Sequence, residues 1–287
     1  MDEELVRKIT KEIKQSGFPL EIYCLNICSK KRTGRMPNIR YLYEGNLKEI
    51  DLYAFFEEIN LDPREGENPQ HTLTSIVVEC KKSNSPWVFF SSKLYGSEDV
   101  FCFSKYCSDF DSYFASNNAP NLQAQIYKKL RKNHNKYAKG VPYCLSYFEA
   151  FRKPGVPSDI YKAIESVLSY LHFRSASEKS RAEKRGYFTE FFYPVVVLEG
   201  NLFGAEIVGD EIHVKKMDHI HLRVDYKDNI YMVDVVTKDN FENFLDIIET
   251  DHHDFVESIN RIDFSKNYQA GLKKHMNDFL DLYFSKP

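Results

Sequence analysis

The sequence predicts an α/β protein with a mixed central sheet flanked by helices, extended at its C-terminal end by a strand-rich α+β part. Three observations carry this reading. Apolar residues recur at helical spacing in the first fifteen residues and again after Pro157. Runs of alternating or continuous apolar residues lie between them. The 287-residue chain is 43% hydrophobic, enough for a large core.

The elements follow in order. Leu5, Val6, Ile9 and Ile13 form one helical stripe, which Gly17 ends. LEIYCLNIC, 20–28, reads as a strand, and KKRTGRMPNIR, 30–40, as a basic loop punctuated by Gly and Pro. A strand from Tyr41 turns at EGN, 44–46, and returns as LKEIDLYAFF; Thr72–Lys81 is the third strand. PWVFF, 86–90, is a short apolar run of either type. NLQAQIYKKLRKNHNKY, 121–137, reads as a basic helix and VPYCLSYFEAF, 141–151, as a strand. The order over residues 2–151 is therefore α-β-β-β-α-β. A break at Pro154–Pro157 opens a helix and polar linker, 154–186. FFYPVVVLEGNLFGAEIV then reads as a hairpin turning at 199–201, with further strands to Val236 and helices over about 239–261 and 266–284. This divides the chain into a core (1–153), a linker (154–186) and a C-terminal module (187–287).

Charge and composition exclude some classes. With 39 basic and 42 acidic residues the formal charge is -3, so an anionic partner must be met by a local patch. No apolar run approaches the ~20 residues of a membrane span. The opening MDEELVRKITKEIK is charged and amphipathic, unlike a secretory leader, so the expected setting is cytoplasmic with reduced thiols. Cys24 and Cys28 pair poorly as zinc ligands with Cys102 and Cys107, because their spacings are loose.

One stretch stands out. SIVVECKK, 75–82, drives a buried strand into charge. Residues two apart share a strand face, so Glu79 and Lys81 project together. The same rule puts Glu49 and Asp51 together in LKEIDLY. If the two strands pair, Asp51, Glu79 and Lys81 converge on one surface. Two carboxylates beside a lysine suit a hard divalent cation, Mg²⁺ first. Such a centre can polarise a phosphodiester and activate water. The bland alternative is a strand-end ion pair.

EIDLY and VVECK, with that element order, resemble the PD-(D/E)XK superfamily, the restriction-endonuclease-like nucleases. The resemblance implies that Asp51 and Glu79 hold Mg²⁺, with Mn²⁺ as a substitute, and that Lys81 serves the attacking water. It also implies a further metal-binding Glu on the first helix, for which Glu4 is chosen over Glu12. Gln123 and Tyr127 match a supporting pair found in one branch, and Glu49 is a further supporting candidate. Ile50 stands where the family has Pro, and the loop between Asp51 and Glu79 is long. The implied activity is hydrolysis of phosphodiesters, DNA before RNA, with defence against foreign DNA as a setting. A homodimer would allow cuts on both strands. Lys30, Lys31, Arg32, Arg35 and Lys82 are the candidate phosphate contacts. The rival reading is a non-catalytic nucleic-acid- or protein-binding module on the same fold. His219 and His221 share a strand face but have no evident carboxylate partner, which reads as a polar surface. His252 and His253, with Asp251 and Asp254, diverge as helix neighbours.

Overall fold

The computed structural model describes residues 3–60, 70–91, 105–108, 141–153, 155, 158–182 and 188–260. Helices α1 (Glu3–Gln15) and α2 (Phe18–Lys30) lead into strands β1 (Gly34–Tyr43), β2 (Asn46–Asn60) and β3 (Gln70–Lys82). Then come β4 (Trp87–Ser91), β5 (Lys105–Ser108), β6 (Tyr143–Glu149) and the long helix α3 (Asp159–Ala182). Strands β7 (Phe188–Glu199), β8 (Leu202–Val208), β9 (Glu211–Lys216), β10 (His219–Tyr226) and β11 (Asn229–Thr237) precede helix α4 (Phe241–Asn260). No helix among the described residues is long and apolar enough to cross a membrane.

The eleven strands of the described residues join one mixed sheet in the order β1-β2-β3-β7-β11-β10-β6-β4-β8-β9, with β5 also against β7. Strands β1, β2 and β3 are antiparallel neighbours. The next pair is parallel and long: β3 and β7 run together from His71 opposite Phe188 to Lys82 opposite Glu199. Eleven of the twelve β7 residues are buried. Its run FFYPVVVL suits a strand covered on both faces.

Helices α2 and α4 cover one face, where Leu20, Cys24, Ile27 and Cys28 meet Leu52, Val78, Val195 and Phe244. Helix α3 covers the other with Ile160, Ile164, Val167 and Leu171, against Tyr53, Val77, Phe192 and Val196. The result is three layers, helix on sheet on helix.

Several expectations need correction. LEIYCLNIC is helical, not a strand. Pro19 sits in its first turn, and the buried positions 20, 24, 27 and 28 follow helical spacing. A run of nine apolar and polar residues satisfies both periods, and packing on the sheet decides between them. The stretch 30–40 is not a loop but the end of α2 and the start of β1. EGN at 199–201 is a turn but closes no hairpin, since β8 pairs with β4 and β9 rather than β7. The proposed boundaries at 153 and 187 divide no domains, because β7 from the second half is the central partner of β3. The α-β-β-β-α-β order expected over residues 2–151 is not reproduced as read: residues 20–28 are helical, and β4, β5 and β6 stand between β3 and α3. The helices expected at 121–137 and 266–284 lie outside the described residues.

Two hairpins turn tightly, the first at EGN, 44–46, as expected. Glu44 and Gly45 (φ 50° and 78°) and Lys227 and Asp228 (φ 47° and 60°) take the left-handed pairs of a type I′ turn. Gly200 is required for another reason: a Cβ there would stand 2.6 Å from the Ser83 carbonyl oxygen, which is backbone. Gly200→Ala should therefore cost about 1–3 kcal/mol, the usual range for overpacking. Urea unfolding checks this, and an unchanged midpoint would show that the backbone yields at no cost.

Candidate active site

Strand β3 carries Val78 and Cys80 into the core beneath α2 and α4. Glu79 and Lys81 point to the opposite face, as period two requires. Glu79 is only 6% exposed. The Lys81 Nζ donates to Glu79 Oε1 at 2.6 Å. Glu79 Oε2 is buried and makes no hydrogen bond of ordinary geometry with a described residue, although the Ser166 side chain of α3 lies close enough to lower the Glu79 carboxyl. A buried carboxylate oxygen in that state is costly.

Asp51 reaches the same place by a backbone route. The β2–β3 ladder runs from Asn60 opposite Gln70 to Leu52 opposite Val78 and stops there. Asp51 is the next residue of β2, just where the strands part. Opposite it on β1, Asn38 takes φ 50°, and the β1–β2 register passes over this pair. With no ladder carbonyl in reach, the Cys80 N–H donates instead to Asp51 Oδ2 at 2.7 Å. The carboxylate is thereby fixed to the residue between Glu79 and Lys81.

The electrostatics follow from this crowding. Burial, and then the Asp51 charge, push the Glu79 carboxyl up to about 7, although Lys81 opposes them. Asp51 is also raised, by burial, against the Cys80 N–H and Lys81. Burial lowers the Lys81 ammonium, but Glu79 and Asp51 outweigh it and raise the group overall. Two carboxylates that resist ionising together form a site that gains from a divalent cation.

Glu21 of α2, the helix that covers the sheet face opposite Glu79, comes near enough to Asp51 to feel its charge. Glu21 lies in that helix's first turn. Its carboxyl is raised by burial and by the charges of Asp51 and Glu49, and lowered by Lys81. Glu21 is not among the sequence candidates because LEIYCLNIC, 20–28, reads as a strand. The helical stripe Leu20-Cys24-Ile27-Cys28 was the signal for it. Glu4, the chosen helix carboxylate, is not brought here. It is 65% exposed, pairs with Lys8 at 2.7 Å, and lies ten residues, about 15 Å, along α1 from Lys14. Lys14 is the end of α1 that touches β3, its carbonyl accepting from Lys82 Nζ at 2.7 Å. Glu49 faces Arg40 across the ladder and binds its Nε at 2.9 Å, so it supports the rim rather than the centre.

The basic candidates stand apart from the three charges. Lys30 ends α2, nine residues and about 14 Å from Glu21, with Lys31 and Arg32 just beyond it, whereas Arg35 is on β1 opposite Ala54. Lys31 is paired with Asp246 of α4, and Arg35 donates to the Thr33 carbonyl at 3.2 Å. Lys82 also lies 3.5 Å from Glu199. Gln123 and Tyr127 lie outside the described residues.

Other conspicuous residues are structural. Cys24 and Cys80 have sulfurs 3.7 Å apart in the core, and Cys28 is pushed up to about 12 by burial. Trp87 is fully buried. On α4, Asp251 accepts from the Tyr193 hydroxyl at 3.0 Å, while His252 Nδ1 meets Thr74 Oγ1 at 3.0 Å. These two anchor α4 to the sheet and form no cation cluster with His253. His219 and His221 differ from expectation: they are buried, with Asp234 of β11 as their carboxylate partner.

No family model matches the chain, and neither the curated proteins nor the solved structures give a match.

A pH dependence follows from Glu79. Its folded value, about 7, exceeds the ordinary 4.5, so between those limits the folded state binds more protons than the unfolded one. Metal-free stability from this group is therefore lost as pH rises from about 4.5 to 7. The loss is on the order of 1–3 kcal/mol. Asp251, also pushed up to about 7, adds a loss of the same sign. Glu79→Gln should flatten the Glu79 share, measured as urea stability of variant and parent at pH 5 and pH 8. Equal pH slopes for the two proteins would rule out the assigned role of Glu79.

Proposed function

We propose that the chain is a metal-dependent nuclease of the PD-(D/E)XK type, hydrolysing phosphodiester bonds, with DNA as the favoured substrate. The observation that carries this reading is the meeting of Asp51, Glu79 and Lys81 at the point where β2 and β3 part. The strands around these residues support it, with β1, β2 and β3 antiparallel neighbours and β7 parallel to β3.

Each residue has a distinct task. Asp51 and the buried Glu79 Oε2 offer hard oxygen ligands, and Glu21 of α2 adds negative charge beside Asp51. A bound Mg²⁺ supplies Lewis-acid polarisation of the scissile phosphate and a more acidic water. Lys81 at present compensates Glu79. When the carboxylates are otherwise neutralised its ammonium is released toward the attacking water, where it orients the nucleophile and offsets the growing negative charge. The Cys80 N–H keeps Asp51 in place throughout, so the ligand geometry is built into the strand rather than into a loop.

Asp51→Asn, Glu79→Gln and Lys81→Ala should each lower Mg²⁺-dependent cleavage of DNA by about 100-fold or more, without additivity in combination. Chelation should remove the parent's activity. The three variants should remain folded by circular dichroism. Cleavage at parental rate in all three, or activity that survives exhaustive chelation, would refute the assignment.

A further inference from the structure

Beneath α4, on the sheet face away from Lys81, lies a second cluster. His219 and His221 of β10 and Asp234 of β11 are 7%, 0% and 1% exposed. His221 and Asp234 are directly opposed in the hairpin register, and His219 is two residues along the same face. His219 Nε2 and His221 Nδ1 both meet Asp234 Oδ1 at 2.8 Å. One ligand atom from each residue lies within 4.8 Å of the others. The surroundings are largely apolar, with the Phe244 ring 5.4 Å from His219 and Val236 in the same core.

We propose that His219, His221 and Asp234 form a zinc site distinct from the Asp51–Glu79 centre. Two imidazoles and one carboxylate are a ligand set zinc favours. All three come from one rigid hairpin, which presents them without a loop. Tetrahedral ligands at zinc bond lengths are about 3.4 Å apart, so the present contacts need to open by only about half an ångström. Asp234 is a carboxylate buried in a largely apolar interior, and a divalent cation held there would offset its charge. Asp251 on α4, which feels the Asp234 charge, supplies a second carboxylate to the same neighbourhood.

The test uses the full chain loaded with Zn²⁺, dialysed against metal-free buffer and assayed by elemental analysis. About one Zn²⁺ per chain should remain. Asp51→Asn/Glu79→Gln should retain it, whereas Asp234→Asn and His219→Asn should lose it. Co²⁺ substituted into the parent should give the visible absorption of a four- or five-coordinate site. A parent that retains no zinc and shows no such Co²⁺ spectrum overturns the proposal by itself, even if the variants fail to fold. Zinc retained equally by folded Asp234→Asn and His219→Asn also overturns it.

A different observation concerns the edge of the sheet. Among the described residues the strand order ends at β9, and all six residues of β9 are exposed. Ile212 and Val214 are 63% and 58% exposed. Opposed residues in an antiparallel pair exchange two hydrogen bonds or none. Two copies of β9 related by a two-fold axis must therefore pair with one residue on that axis. With Ile212 on the axis, Asp210 meets Val214; with Val214 there, His213 meets Lys215. With His213 there, Asp210 meets Lys216, Glu211 meets Lys215 and Ile212 meets Val214.

From this self-complementarity we infer that two copies of the chain associate edge to edge through β9, with His213 on the two-fold axis. The strand is short, so the dimer belongs to the weak, concentration-dependent class. Sedimentation velocity from low to high micromolar concentration should show it. Lys215→Glu/Lys216→Glu and Asp210→Lys/Glu211→Lys should each be monomeric alone and should form a heterodimer when mixed. A parent that stays monomeric throughout, or a mixture that does, overturns the inference.

Discussion

Every strand inside a sheet must satisfy two rows of peptide groups, and this requirement organises the molecule. Strand β3 meets it with β2 on one side and β7 on the other. Strand β7 meets it with β3 on one side, and with β5 and then β11 on the other. Wherever a row loses its partner, a side chain or an edge must take over. At the β9 edge the peptides face outward. At the end of the β2–β3 ladder a carboxylate stands in for a carbonyl, and a charged group is thereby built into the sheet beside Glu79.

That substitution links structure to chemistry. A carboxylate bound to a backbone N–H cannot swing away from its neighbour. Glu79 must then share a buried space with it, at the cost seen in the upward displacement of both groups. Lys81 relieves part of this cost, and the Glu79 carboxyl stays raised nonetheless. The proposed nuclease chemistry draws on this incomplete compensation. A fully satisfied ion pair would hold the strand equally well and would have no reason to admit a cation.

How legible this was in the sequence depended on range. Asp51, Glu79 and Lys81 could be read together because strand alternation is local and VVEC runs straight from apolar to charged. Glu21 was hidden by an ambiguity of period: nine residues with apolar positions throughout fit a strand or a helix until the sheet beneath them is known. The place of β7 was less legible still. Nothing within FFYPVVVL says that its partner lies more than a hundred residues back, so the central strand of the sheet was assigned to a separate module. His219 and His221 were visible as a pair, but their carboxylate belongs to the next strand. Only the hairpin register, set by the turn at Lys227 and Asp228, puts Asp234 between them.

The distance between β3 and β7 along the chain also bears on how the protein folds. Residue 71 pairs with residue 188, and residue 82 with residue 199. Closing so long a loop costs chain entropy before any contact rewards it, which places this topology among the slow folders. During synthesis the β1–β2–β3 meander emerges first, with one side of β3 unpaired until β7 has left the ribosome. The carboxylates at the end of β3 are thus among the first functional groups made and among the last to be buried.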